Sequence, residues 1–169
     1  MSHTIDGEEN VEVGNVAMRD IATMSGVEFL SKLTDRSLPA PPISRHMNIR
    51  ATDVERGRVV FKGTPGAEHL NPMGTVHGGW VSTLLDSALG CAGQTLCEKG
   101  YGSTSVDLSV NFVRPIMPTT GRLVCEAKVI HPGRQLATVE ARVTGEEDGK
   151  LYAHGSQTVL IFPIRPPKG

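Results

Sequence analysis

The sequence predicts an α+β domain in which a largely antiparallel sheet packs on one long helix. Residues 78–98 place Trp80, Val81, Leu84, Leu85, Ala88, Leu89 and Ala92 at helical spacing. About six other runs alternate or concentrate apolar residues and stop at turn-forming residues. Strands and helices do not take turns along the chain, so βαβ units and a parallel sheet are excluded. The chain has 169 residues, which is one domain at roughly 100–200 residues per domain. Only 4% of the residues are aromatic, so the core must be aliphatic.

The elements follow in order. Residues 1–24 are polar, acidic at the front and without sustained periodicity, and read as a loosely ordered leader. The single domain is expected over 25–165. Within 25–36, Val27, Leu30 and Leu33 fall on one side of a short helix, with Ser25 as its cap. Pro39, Pro41 and Pro42 end that pattern, because proline cannot continue a helix comfortably. Residues 44–64 read as two strands joined by a turn at Glu55–Gly57. A glycine- and proline-bearing loop of about 15 residues comes next, and loops that long in a compact domain are usually functional. The long helix follows, with Gly100 as its stop. Four strand-like runs then cover Thr104–Val113, Arg122–Ile130, Arg134–Thr144 and Leu151–Phe162. One helix covers one face of such a sheet, so its other face or an edge strand is expected to meet a second copy.

Composition removes several function classes. Lys and Arg number 17 against 18 Asp and Glu, a net charge of −1. A phosphate backbone calls for a basic surplus, so nucleic acid is not the expected partner. Cys91, Cys97 and Cys125 lack CxxC spacing and sit among Leu, Ala, Gly and Val, as buried thiols in a reducing compartment do. No apolar run approaches the roughly 18 residues of a membrane span. The first residues carry Asp6, Glu8, Glu9 and Glu12, unlike a secretory signal. The expected location is the cytoplasm, without membrane association.

The chemistry concentrates in Asn71-Pro72-Met73-Gly74-Thr75-Val76-His77-Gly78-Gly79 and the helix behind it. A helix start offers unpaired N–H groups and the positive end of the dipole. Glycines let a ligand approach that backbone, which suits a carbonyl becoming an oxyanion. The plainer alternative is an ordinary glycine-rich helix start. Asp86 interrupts the most apolar stretch of the chain, on the side shared with Gly79, Ser82 or Thr83, Gly90 and Gly93. It reads as a carboxylate at the floor of a cleft or, more plainly, as an exposed helix aspartate. Desolvation against aliphatic walls would make such a carboxylate a better base. Gly78 and Asp86 are about 12 Å apart at 1.5 Å per residue. One carbonyl cannot touch both within a subunit, so joint action requires a second, antiparallel helix from a two-fold dimer.

At these residues the sequence resembles the hotdog-fold acyl-CoA thioesterases, in the subgroup related to the phenylacetate-degradation thioesterase. The matching segments are HLNPMGTVHGGWVSTLLDSALG, TSVDLSVNFVRPI, the Gly133-Arg134 pair and GKLYAHGSQT, within about residues 43–162. The resemblance implies a curved antiparallel sheet wrapped around one long central helix, in homodimers that often pair into homotetramers. It implies that Asp86 is the general base or nucleophile and that the Gly78 N–H is the oxyanion donor. It further implies that Asn71 polarises the thioester carbonyl, that His77 supports the loop, and that Ser105 orients the attacking water. Asp86 and Ser105 would face Asn71 and Gly78 of the other subunit. The substrate would be an acyl-CoA, with no cofactor and no metal. The resemblance also places Gly79 among the residues that would bind the substrate. Coenzyme A phosphates need cations, for which Arg134 and then Arg114 are the candidates.

Two other readings remain open. A hydratase or dehydratase of hydroxyacyl thioesters would use a different histidine spacing and a helix glutamate, which this helix lacks. A non-catalytic acyl-CoA-binding module is the second, since a fold does not prove an activity. Scattered His46, His69, His131 and His154 lack metal-ligand spacing. Trp80 reads as core, and Asp107 is given no role.

Overall fold

The computed structural model of the chain describes residues 4–164. Its helices are α1 (Met18–Ile21), α2 (Gly26–Thr34), α3 (Pro42–Met47) and α4 (Gly78–Gln94). Its strands are β1 (Ile49–Glu55), β2 (Arg58–Gly63), β3 (Tyr101–Ser105), β4 (Ser109–Phe112), β5 (Leu123–Pro132), β6 (Leu136–Gly145) and β7 (Leu151–Pro163). The seven strands form one antiparallel sheet in the order β1-β2-β5-β6-β7-β3, and β4 also pairs with β7. The α+β architecture with one long helix is the one the sequence predicts.

Alternation along the strands decides which face is covered. On β6, Ala137, Val139, Ala141 and Val143 are buried, while Glu140 and Arg142 point outward. Their outward neighbours across the ladder are polar too: Lys128 opposite Glu140, Glu126 and His154 opposite Arg142. The inner face receives α4, whose Trp80, Val81, Leu84, Leu85, Ala88, Leu89 and Ala92 are all buried. The residues beneath the helix are small (Ala127, Ala141, Ala153, Gly155), so helix and sheet approach closely. A Cβ on Gly155 would lie 2.5 Å from the Ser109 carbonyl oxygen.

Caps and close approaches fix the ends. Ser25 accepts the Glu28 N–H at 3.2 Å and starts α2 as expected. A Cβ on Gly26 would lie 1.7 Å from the Gln94 carbonyl oxygen, so only glycine lets α2 begin against the end of α4. The β1–β2 turn falls at Glu55–Gly57 as read from the sequence, with Gly57 at φ +81°.

Several boundaries differ from expectation. Residues 42–47, read in part as strand, form α3, because Pro42 is pre-set for a first helical turn and Asn48 leaves it at φ +51°. The run Thr104–Val113 is two strands. The Asp107 carboxylate accepts the Thr158 N–H at 2.9 Å, and the chain bulges between β3 and β4. Asp107 therefore has a structural role that the sequence did not reveal. The long helix ends at Gln94, where the Thr95 hydroxyl donates to the Ala92 carbonyl and accepts the Gly57 N–H. Gly100, at φ +83°, turns the chain into β3 and does not end the helix. Gly93 does not line a cleft with Asp86 but packs on Val159, which a Cβ would meet at 2.7 Å.

The segment ahead of α2, read as a loose leader, has little regular structure but is tied to the domain. Ile5 and Asp6 are each 1% exposed. Asp6 accepts from Arg122 and Thr64, and its N–H donates to Asn48.

Candidate active site

The loop before α4 is held by its own side chains. The Asn71 side-chain oxygen accepts the Met73 N–H at 2.9 Å and the Thr75 N–H at 3.3 Å, while its amide nitrogen donates to the Thr75 hydroxyl at 2.7 Å. An amide nitrogen carries two hydrogens, so one donor remains beyond the loop's needs. His69 anchors the loop from beneath. Its Nδ1 accepts the Gly66 N–H at 2.8 Å, which makes Nε2 the donor to the His46 carbonyl. Trp80 is core, as expected, with its indole N–H on the Met47 carbonyl.

His77 caps α4: its Nδ1 accepts the Gly79 N–H at 2.8 Å. The Trp80 N–H bonds the His77 carbonyl. Gly79 therefore spends its N–H within the cap, and a Cβ there would press on the His77 ring at 2.9 Å. Gly78 is the first helical residue, whose N–H has no intrahelical acceptor. Its missing side chain admits the Phe112 ring, which a Cβ would meet at 3.0 Å. Gly78, Phe112 and Arg114 border a cavity of about 410 Å³ at this end of the helix.

Asp86 lies two turns further along α4. Its Oδ1 accepts from the Gln157 side-chain amide at 2.6 Å and from the Ser105 hydroxyl at 3.4 Å. A carboxylate only accepts, so the Gln157 nitrogen must face it. Gln157 is 1% exposed on β7, and its own oxygen is buried without a hydrogen-bond partner. Asp86 itself is exposed in the single chain, so the desolvation expected from the sequence is not supplied by one protomer. Asp86 and Ser105 border a second cavity of about 550 Å³.

The expected site residues thus form two groups at different points along α4: Asn71, His77 and Gly78 at its start, Asp86 and Ser105 at its middle. The arginines divide likewise. Arg114 donates to the Leu151 carbonyl at the start of β7. Arg134 is exposed in the β5–β6 connection, just before Leu136, which pairs with Leu160. Nine residues of strand at about 3.3 Å each put these two ends about 30 Å apart.

Residues 73–152 match the thioesterase superfamily model. Human acyl-coenzyme A thioesterase 13 is 34% identical over 103 residues, covering 60% of this chain and 71% of that one. The chain belongs to the thioesterase superfamily. As a thioesterase it is a thioester hydrolase. A thioesterase family protein from Silicibacter pomeroyi superposes with a TM-score of 0.70 at 27% identity, over 79% of this chain and 98% of that one. The E. coli PaaI protein of the phenylacetic acid degradation operon superposes with a TM-score of 0.69 at 20% identity, over 82% and 96%. These neighbours share the hotdog fold.

In this thioesterase the family match includes Gly78, Asp86, Ser105, Arg114 and Arg134 and stops short of Asn71 and Gln157. Gln157 is the residue that sequence reasoning missed. Its signal was present: it occupies an inward position of β7 between Gly155 and Val159, where alternation calls for an apolar side chain. Among the described residues no group of three or more His, Cys, Asp or Glu is placed to share a metal ion. No helix among them is long and apolar enough to cross a membrane.

Proposed function

We propose that this thioesterase hydrolyses acyl-CoA in the cytoplasm, with each active site assembled across a two-fold dimer seam. The observation that carries the reading is the position of Asp86. Gln157 and Ser105 hold its carboxylate at one cavity, while the Gly78 N–H heads the same helix at another. Eight helical residues, about 12 Å, separate them, so an antiparallel second helix is needed to bring one of each to a single carbonyl.

The edge formed by β3 and β4 is suited to that seam. It exposes Val106 (60%) and Phe112 (59%) and carries Ser105. The outer sheet face is charged, so a buried dimer interface fits the edge better than the face. Two-fold pairing along this edge would bring Asp86 and Ser105 to Gly78 and Asn71 of the partner subunit. It would also carry Arg134 of one protomer toward Arg114 of the other, giving cations for the coenzyme A phosphates from both.

In the reaction Asp86 takes a proton from a water held by Ser105, and the water oxygen attacks the thioester carbonyl carbon. The oxyanion that forms accepts from the Gly78 N–H, with the remaining Asn71 amide hydrogen as a second donor. Collapse breaks the C–S bond, and the proton on Asp86 passes to the leaving thiolate. Direct attack by Asp86, followed by hydrolysis of the anhydride, uses the same groups. Both routes need a base, an oxyanion donor and water, so no cofactor is assigned.

The test is thiol release over a panel of acyl-CoAs with wild type and Asp86→Asn side by side. Turnover in the wild type that is lost in a folded Asp86→Asn supports the reading. Silence of a folded wild type on every acyl-CoA overturns it and leaves an acyl-CoA-binding module or a hydratase to be tested.

A further inference from the structure

The cavity beside Asp86 has a wall that lies outside the residues matched by the family model. Its mouth carries Asp86 and Ser105, and its volume is about 550 Å³. Away from the carboxylate it is bounded by Val16, Met18 and Ile21 of the N-terminal segment and by Phe29 and Leu33 of α2. These five side chains are apolar, and Asn15 of the same segment is the polar residue among them. The family match begins at residue 73.

The N-terminal segment is fastened on both sides of that wall. Before it, Asp6 is buried against Arg122 and Thr64, and Glu8 pairs with Arg50 at 3.0 Å and with Arg36. The Gly14 N–H donates to the Ala40 carbonyl, and the Ala40 N–H donates to the Glu12 carbonyl. After it, the Ala22 carbonyl accepts the Gly100 N–H at 2.8 Å. Residues 14–21 therefore form a strap across the cavity between fixed points.

Resting on the thioesterase reading above, we infer that this strap is the acyl-selecting wall, with Val16, Met18 and Ile21 setting the length of chain admitted. The substrate class that fits is a thioester of a medium-length hydrocarbon acyl group. A cavity of this volume is far larger than an acetyl group, and pockets of about 300–1,000 Å³ hold drug-sized ligands. The lining carries no cationic side chain and already holds the Asp86 carboxylate, so a terminal carboxylate finds no counter-charge there and dicarboxylic acyl groups are disfavoured. Each methylene that reaches the wall should raise kcat/KM roughly fourfold.

The experiment uses the full chain, wild type and Ile21→Trp, with Val16→Phe as the alternative if circular dichroism shows that the tryptophan variant does not fold. Thiol release is measured on acetyl-, butanoyl-, hexanoyl-, decanoyl- and succinyl-CoA. In parallel, calorimetry measures binding of butyl- and decyl-CoA thioethers, which cannot be hydrolysed. The expected result is a wild type that favours hexanoyl and decanoyl over acetyl and succinyl, and a variant that loses about tenfold on decanoyl with butanoyl nearly unchanged. Hydrolysis whose chain-length profile is the same in both proteins overturns the inference and leaves the thioesterase reading standing. Strap-dependent binding of decyl-CoA without hydrolysis of any acyl-CoA supports the inference and overturns that reading. Neither binding nor hydrolysis overturns both.

Discussion

The amide nitrogen of Gln157 lies 2.6 Å from the Asp86 carboxylate, joining two residues 71 positions apart in the chain. The glutamine is buried and its oxygen has no hydrogen-bond partner, so it is a costly residue to keep in a core for stability alone. Its amide is spent on Asp86, whose carboxylate it holds at the edge of the cavity.

Gln157→Leu separates those two effects. Leucine fills a similar volume without an unpaired polar atom, and Asp86 remains open to water. Thermal stability should stay level or rise by about 1 kcal/mol. The kcat on the best acyl-CoA should fall about tenfold, with KM little changed, because orientation of the base matters in the transition state. Thermal unfolding and steady-state kinetics on the same preparation check both.

Gly78→Pro removes the proposed oxyanion donor with little other change. Gly78 is the first residue of α4, a position where proline is favoured, and His77 has the extended backbone (ψ 136°) that a following proline requires. A Cβ at position 78 would meet only the tip of the Phe112 ring, at 3.0 Å, which a shift of a few tenths of an ångström relieves. The helix should persist by circular dichroism while kcat drops about 10²–10³-fold.

The cysteines should be inert to thiol reagents. Burial first, and the negative charge of Asp86 second, push the Cys91 thiol up to about 12. Burial pushes Cys97 up to about 11, and Cys125 is raised as well. A chromogenic disulfide at pH 8 should find almost no reactive thiol in the native protein and all 3 cysteines in guanidinium. The same shifts make stability fall at high pH. Unfolded thiols ionise above about 8.5 while the native ones stay protonated, so the melting temperature should decline as pH rises past that value.

Acid should destabilise through carboxylates that are held ionised in the native state. Glu126 is lowered from its ordinary value mainly by its hydrogen bond to Arg58, and Asp107 by its bond to Thr158. A depressed native pKa gives stability that is present above the unfolded value and lost as pH falls through the native one. Melting temperature should therefore be level between about pH 5 and 7 and fall below about pH 4. Asp107→Asn should flatten that fall.

What the sequence disclosed was mostly local. The apolar spacing from Trp80 to Ala92 marked the helix, and the interval from Gly78 to Asp86 within it implied two distant half-sites. The single strand read over Thr104–Val113 failed because its break depends on Asp107 reaching Thr158, 51 residues away. Gln157 went unnoticed for the same reason: its partner is distant in sequence, although its polar side chain at an inward strand position could have marked it. That residues 14–21 line a cavity was hidden because a cavity wall has no periodicity to detect.

The most direct test of an active site shared across the seam is complementation in mixed dimers. Asp86→Asn and Gly78→Pro chains, each inactive alone, are co-expressed with different tags, and the doubly tagged dimer is purified and assayed for thiol release. If Asp86 works with Gly78 of the partner subunit, one of the two sites in the mixed dimer holds both native groups, and turnover should return to about half of wild type. If both groups act within one subunit, every site in the mixed dimer lacks one of them, and the absence of any recovered turnover would contradict the account.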